Sequence, residues 1–393
     1  MIRSVIFIVM KKGSFSAMKS TNIKLILNTL HKCGSASRVQ LAADTGLTAA
    51  TVTNLTAELI KSGIIIETAY GESTGGRKPV MLKFNSKNYC ISSAYISPNQ
   101  IEFAIEDLDG NITYYNCFPI TSDMDAYNAI DIIVKEYAKC SSASSKKIIA
   151  MGVALHGTVD HHTGSWTVAP NLNWHNIPVC DILDSKLNIH IFADNDVKLM
   201  AKGEMWYGAA KDVSDFAFMY VGDGIGGAVC IGGSVYRGAS NASGEVGHCS
   251  VDINGEMCSC GNRGCLQTKA NKGAMIKNAR NMQLDVSCCE QIVQLALNGD
   301  KKAKDVISNE AMYLSLGVTM LINMYNPGIV IINSDIKDFD KVIISQITYN
   351  SENFKSANCQ IKYSTLGDNA VIKGACAMVL KEIFDNPSEY FEK

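Results

Sequence analysis

Three cysteines and a histidine set the tightest constraint on this chain. Cys258, Cys260 and Cys265 fall within Cys258-Ser259-Cys260-Gly261-Asn262-Arg263-Gly264-Cys265, a short way after His248. A polar, glycine-rich loop gives thiols little packing reason to cluster, whereas three thiolates and an imidazole meet the tetrahedral demand of a structural Zn2+. Gly261 and Gly264 permit the tight turns that return Cys265 toward Cys258 and Cys260. The expectation is a closed zinc site made by His248, Cys258, Cys260 and Cys265, with the loop 248–265 folded round it. The chain has 14 cysteines; the others, Cys288-Cys289 included, lack ligand spacing and read as packing residues. That many thiols without a secretory leader indicate a reducing, cytoplasmic setting.

With 393 residues, 47% of them hydrophobic, the chain can bury more than one core. Its formal net charge of -2 hides a split: residues 1–90 carry 12 Lys and Arg against 4 Asp and Glu, the remainder 24 against 34. A basic end on an acidic partner is the footprint of a small nucleic-acid-binding module, because phosphate neutralisation supplies most of the sequence-independent affinity. Charge alone would equally suit a soluble chain with a basic tail. The apolar run Val5 to Met10 is too short to span a bilayer, and no other stretch approaches about 18 uninterrupted apolar residues, so no transmembrane helix is expected. Residues 1–17 read as a disordered extension, with Met18 a candidate natural start.

Residues 18–87 read as a winged helix-turn-helix. Ile23, Ile26, Leu27 and Leu30 mark one buried face of a helix over Asn22 to Lys32. Ser35 to Ser37 offer N-cap hydroxyls to a short helix that stops at Thr45-Gly46. Thr48 can cap a third helix, Ala49 to Lys61, whose start would enter the major groove with Thr48, Thr51, Thr53 and Asn54 near base edges and phosphates. Ile64 to Thr68 and Val80 to Phe84 read as two strands joined by a tip containing Gly75-Gly76-Arg77-Lys78-Pro79. Arg77 and Lys78 at such a tip suit a narrow, electronegative minor groove. Each element alone would also suit a helical bundle or a solvated hairpin. Together with the charge split they point to DNA.

From Tyr89 onward β-branched strands at Ile101–Leu108, Ile148–Ala154, Phe216–Tyr220, Ala228–Ile231 and Ile329–Ile332 alternate with helical stretches, the pattern of an α/β domain over residues 88–393. Four segments then carry a resemblance: Gly244-Glu245-Val246-Gly247-His248 with the cysteine loop, Pro170-Asn171-Leu172-Asn173-Trp174, Asn195-Asp196, and Gly222-Asp223-Gly224-Ile225-Gly226-Gly227. Together they resemble the ROK family of repressors and sugar kinases, over about residues 20–385. The resemblance implies a two-lobed, ribonuclease-H-like sensor domain of the actin/hexokinase type, with a sugar in the cleft, in a homodimer or homotetramer. It assigns sugar contacts to Asn171, Asn195, Asp196, Glu245 and His248, and a cleft of amides and carboxylates suits hydroxyl groups. On its own, Asn195-Asp196 also reads as a helix N-cap before Val197–Met205.

The chain departs from the family's kinases in three places. Where the phosphate-cradling turn Asp-x-Gly-Gly-Thr belongs, it has Ala94-Tyr95-Ile96-Ser97-Pro98-Asn99-Gln100. Side chains block close approach of the backbone there, and Pro98 removes an amide donor. After Asn326-Pro327 a glycine pair is replaced by Asn333-Ser334, and Gln267 stands where the family commonly has Glu, which affects sugar preference. The retained Gly222–Gly227 segment reads as a tight strand connection. In a kinase Asp196 would be the general base; here it is expected to hold a hydroxyl, with no ATP bound. The expected function is a sugar-responsive repressor of carbohydrate-utilisation genes, bound to a pseudo-palindromic operator and released by sugar. The alternative is an ATP-dependent sugar kinase with an appended DNA-binding domain.

Overall fold

The computed structural model describes residues 15–70, 78–352 and 358–391. The extension expected over residues 1–17 lies outside them up to residue 14, as do Gly75, Gly76 and Arg77 of the expected wing tip.

The first unit comprises α1 (Phe15–Cys33), β1 (Ala36–Ser37), α2 (Arg38–Thr45), α3 (Ala49–Lys61), β2 (Ile65–Tyr70) and β3 (Val80–Phe84). Helix α1 starts seven residues before the Asn22 expected from its apolar face, since no Gly or Pro interrupts it. Ser37 caps α2 by accepting from the Gln40 amide, and Gly46 ends it at φ 70° with its amide on the Ala42 carbonyl. Thr48 caps α3 in the same way, accepting from Thr51. Arg38 ties the unit together through Thr56 of α3 and Glu67 of β2.

The first lobe follows: β4 (Tyr89–Ile96), β5 (Gln100–Asp107), β6 (Ile112–Pro119), α4 (Ala126–Ala143), β7 (Lys147–Leu155), a small sheet of β8 (Thr158–Asp160), β9 (Ser165–Ala169) and β10 (Trp174–Ile177), then α5 (Val179–Leu187), β11 (His190–Asn195) and α6 (Asp196–Tyr207). The second lobe holds β12 (Phe216–Val221), β13 (Ile225–Ile231), β14 (Ser234–Tyr236), α7 (Gln267–Ala270), α8 (Lys272–Asn281), α9 (Cys289–Leu297), α10 (Lys301–Tyr325), β15 (Ile329–Ser334), α11 (Asp340–Glu352) and β16 (Gln360–Tyr363). Helix α12 (Ala370–Asp385) returns to the first lobe. The large sheets run β11-β7-β4-β5-β6 and β16-β15-β12-β13-β14. In both, an antiparallel meander of three strands is extended by two parallel strands, so one topology occurs twice. This is the two-lobed α/β architecture expected from the sequence.

Helices α6 and α12 cross in very close contact. A Cβ at Gly374 would sit 1.8 Å from the Leu199 carbonyl oxygen, and one at Gly203 would sit 2.6 Å from that of Ala370. Both helices thereby face several cores at once. One core joins Ile26, Leu27, Leu30, Leu41 and Leu59 of the first unit to Ile91 and Ile149 of the first lobe and Val379, Leu380 and Phe384 of α12. At its edge His31 of α1 meets Trp206 and Tyr207, the last residues of α6, at ring distances of 4.7 and 5.5 Å, while Phe84 stacks on Phe384 at 5.2 Å. Burial, reinforced by the charge of Lys211, pushes the His31 imidazole down to about 4.

Gly374→Ala is expected to destabilise the protein by about 1–3 kcal/mol or more, because a backbone carbonyl cannot yield as a side chain would; a urea midpoint measures it, and an unchanged midpoint would contradict the contact. For His31 the unfolded chain binds a proton near 6.5 while the folded one does not until about 4. Its neutral form therefore supports folding fully above pH about 6.5, and that support is lost as pH falls toward 4. His31→Phe, which keeps a ring there, is expected to lose less stability between pH 7 and pH 5 than the parent chain.

Candidate functional site

The cysteine loop folds as its glycines require. After β14 a single 3-10 turn, Val246–His248, brings His248 to the lobe surface, and the isolated bridges Ser250–Cys265 and Met257–Arg263 close the loop. Gly261 and Gly264 adopt φ of 93° and 61°, and a Cβ on Gly264 would lie 1.7 Å from the Asp252 carbonyl oxygen. The donor atoms of His248, Cys258, Cys260 and Cys265 all lie within 4.8 Å of one another. His248 Nδ1 is 3.6 Å from Cys258 Sγ, and the Cys260 and Cys265 sulfurs are also 3.6 Å apart. A tetrahedral ion with metal–sulfur bonds of about 2.3 Å sets its thiolates about 3.7 Å apart, so the four donors fit one. These residues can hold a metal ion. Gln267 Nε2 donates to Cys258 Sγ at 3.1 Å, which supports the thiolate from outside the ligand set.

Through His248 the cluster adjoins a cleft of about 850 Å3 between the lobes. All six residues singled out for sugar contact, Asn171, Asn195, Asp196, Glu245, His248 and Gln267, line this one cavity. Asn171 reaches it from the β9–β10 turn, where Asn171 and Asn173 hold φ of 67° and 55°. Asparagine tolerates that left-handed backbone better than most side chains. Asn195 keeps the capping role as well: its Oδ1 accepts from the Lys198 amide at 3.0 Å, and its Nδ2 donates to the Gly157 carbonyl and to Asp196 Oδ1, both at 2.9 Å. Asp196, only 3% exposed, starts α6. Its Oδ1 accepts from Asn195 and the Val197 amide, while its Oδ2 is 3.1 Å from both the Tyr95 hydroxyl, which donates to it, and His156 Nδ1.

Sequence reasoning missed His156. β7 ends at Leu155 paired with Asn195 of β11, so the next residue emerges beside Asp196, a long-range pairing that no local signal announces. Burial pushes the imidazole down, but the hydrogen bond and charge of Asp196 outweigh it and leave the group raised above its ordinary value.

On the far side of Asp196 the turn between β4 and β5 is built from side chains. Ser97 Oγ accepts from the amides of Asn99 and Gln100, and Asn99 Nδ2 reaches across the cleft to Asp223 Oδ2 at 3.0 Å. Lys272, at 2.5 Å from Asp335 and 3.8 Å from Asp223, is already paired. Asn333 and Ser334 turn their polar groups onto the Gly367 carbonyl and the Ile336 amide. The retained glycines have packing reasons, since a Cβ on Gly226 would meet Val197 at 2.6 Å and one on Gly227 the Gly244 carbonyl at 2.4 Å.

In the first unit, Thr48, Thr53 and Asn54 are exposed on or beside α3 and Thr51 is half-buried. The Thr48 and Thr51 hydroxyls pair at 2.9 Å, and Thr53 donates to the Ala49 carbonyl, so Asn54 is the most available of the four. Lys78 is exposed where the chain enters β3. Arg77 lies outside the described residues. No helix among the described residues is long and apolar enough to cross a membrane.

The profile of the ROK family matches residues 96–382, and that of winged helix-turn-helix DNA-binding domains matches residues 19–66. The chain belongs to the ROK family. It is 30% identical over 396 residues to the xylose repressor of Caldicellulosiruptor bescii, covering 95% of this chain and 99% of that one. A solved ROK family transcriptional regulator, a homologue of the Escherichia coli MLC protein, superposes with a TM-score of 0.82 at 23% identity, covering 94% of this chain and 97% of that one. The ROK family glucokinase of Streptomyces griseus, solved with glucose and AMPPNP, matches at a TM-score of 0.67 and 22% identity, covering 74% of this ROK chain and 98% of its own.

Elemental analysis of the purified protein is expected to find one bound divalent ion per chain, lost in Cys265→Ser together with a fall in melting temperature. A metal-free chain whose melting ignores strong chelators would contradict the cluster's assignment.

Proposed function

We propose that this ROK protein is a sugar-responsive transcriptional repressor, a homodimer or homotetramer that binds a pseudo-palindromic operator and is released by sugar. One observation carries the reading: a single chain joins a winged helix-turn-helix to a cleft lined by hydroxyl-binding side chains, with α6 in contact with both. Its full-length relation to a xylose repressor agrees. In the head, Thr48, Thr51, Thr53 and Asn54 face the major groove, and Arg77 and Lys78 follow the minor groove. In the cleft, Asn171, Asn195, Asp196, Glu245, His248 and Gln267 hold the sugar, and Zn2+ on His248, Cys258, Cys260 and Cys265 keeps that wall in shape. Asp196 already meets four donors, so a sugar hydroxyl binds it by displacing the Tyr95 or the His156 contact.

Phosphoryl transfer is not part of this function. A phosphate cradle is made of backbone amides brought close by glycines, and the β4–β5 turn offers Ser97, Pro98 and Asn99 instead. Six carboxylates and one lysine line the cleft, a balance that opposes a polyanion. Sugar favours one arrangement of the lobes, and the head, packed on α12 and the end of α6, moves with them; release needs a coupling of about 1–3 kcal/mol or more between the two sites.

The test is binding of the purified protein to fragments of its own promoter at fixed salt, titrated with sugars and with ATP. Release by one sugar without ATP consumption is expected, and Asp196→Asn is expected to keep DNA binding while weakening the sugar response at least about tenfold. Sugar-dependent ATP consumption without specific DNA binding would replace this reading with a kinase.

A further inference from the structure

The cleft extends beyond the residues singled out for sugar contact. Its volume of about 850 Å3 lies high in the range of about 300–1,000 Å3 that accommodates drug-sized ligands, and the six sugar-contact candidates account for only part of its lining. Past Asp196 the same cavity continues between Tyr95, Gln100, Glu102 and Tyr115 of the first lobe and Asp223, Asp335 and Asp368 of the second. Tyr220 lines the cavity as well, and burial together with the charges of Asp335, Asp196, Asp223 and Asp368 raises its hydroxyl well above its ordinary value.

Three features define what this outer chamber accepts. First, its charge is wrong for phosphate: Asp223 and Asp335 already share Lys272, which pairs with both, and Glu102 and Asp368 add further negative charge. Second, its groups suit hydroxyls. Glu102 is 5% exposed and takes a hydrogen bond from Gln100 at 2.8 Å, while Tyr115, on the edge strand β6, leaves 48% of its surface open beside it. A buried carboxylate that can accept from hydroxyls, next to a half-exposed aromatic ring, supplies the elements of a saccharide site. Third, Tyr95 joins the two regions, since it lines the cavity beside Gln100 and Glu102 while its hydroxyl donates to Asp196, so a unit linked to a sugar held at Asp196 can extend along it.

We infer that the chamber lined by Tyr95, Gln100, Glu102 and Tyr115 is a second saccharide subsite, and that the effector is a neutral oligosaccharide or glycoside whose additional unit projects past Asp196. This rests on the reading of the inner cleft as a sugar site. It also excludes sugar phosphates, whose anion would face Asp223 and Asp335.

Calorimetric titration of the full chain with xylose, xylobiose, glucose, cellobiose, gentiobiose, glucose 6-phosphate and ATP tests it. At least one disaccharide is expected to bind about tenfold or more tighter than its own monosaccharide, the gain of one or two well-made hydrogen bonds. Glucose 6-phosphate binds no tighter than glucose, and ATP does not bind. In Glu102→Gln and in Tyr115→Ala the disaccharide's advantage falls severalfold while monosaccharide affinity holds. Monosaccharides that bind as tightly as every disaccharide, an advantage untouched by both variants, or preferential binding of a phosphate would overturn the subsite and leave sugar sensing intact. If no sugar in the panel binds, the sugar-sensor reading itself falls, and the subsite with it.

Discussion

Two helices can lie this close only where neither presents a side chain, and Gly203 and Gly374 meet that condition between α6 and α12. Much of the architecture depends on it. With α6 seated on α12, Asn195 and Asp196 are held at the cleft end, and Trp206 and Tyr207 are delivered to the opposite end against His31 and Phe384. A twelve-residue helix of about 18 Å is a stiff connection between those ends. Displacement of its first turn by a ligand cannot be absorbed by bending near the glycines, because the carbonyls of Leu199 and Ala370 leave no room.

The same packing explains how polar the cleft is. Asp196 sits almost fully buried, yet two donors on one oxygen and two contacts on the other compensate its desolvation. Arg237 does likewise for Asp194, one residue before the capping asparagine, through paired contacts at 3.1 and 2.5 Å. The floor of the site is thus a saturated hydrogen-bond network. Its rim is looser, with Glu245 and Asn171 exposed.

Local elements were legible in the sequence wherever periodicity and caps agreed. Helix α3 and strand β3 begin and end where Thr48 and the apolar alternation place them, and the loop that can hold a metal was marked by donors whose types and spacing admit few other uses. What escaped was long-range. Nothing local announces that β4 to β11 and β12 to β16 repeat one topology, because the repeat lies in pairing order and not in residues. The small β8–β10 sheet was hidden by asparagines at positive φ, which in sequence look like loop. Asn195 illustrates the limit from the other side: its capping and cleft-lining roles looked like alternatives, and the geometry grants both to one amide. Tyr95 was noticed only as a missing glycine, although its hydroxyl ends on Asp196, because a sequence gap says what is absent and not what fills the space.

The continuous core beneath the helix-turn-helix bears on how such a chain could be reshuffled. A head tethered by a linker can be exchanged among regulators as a cassette, since each side keeps its own surface. Here Phe84 stacks on Phe384, and Ile26, Leu27 and Leu30 share their core with α12. Cutting between β3 and β4 would strip apolar surface from both pieces, so head and sensor can diverge only by mutually compensating changes along α12. Inheritance of the two as a pair is written into the packing, and a chimaera that respects it must carry α12 along with the head.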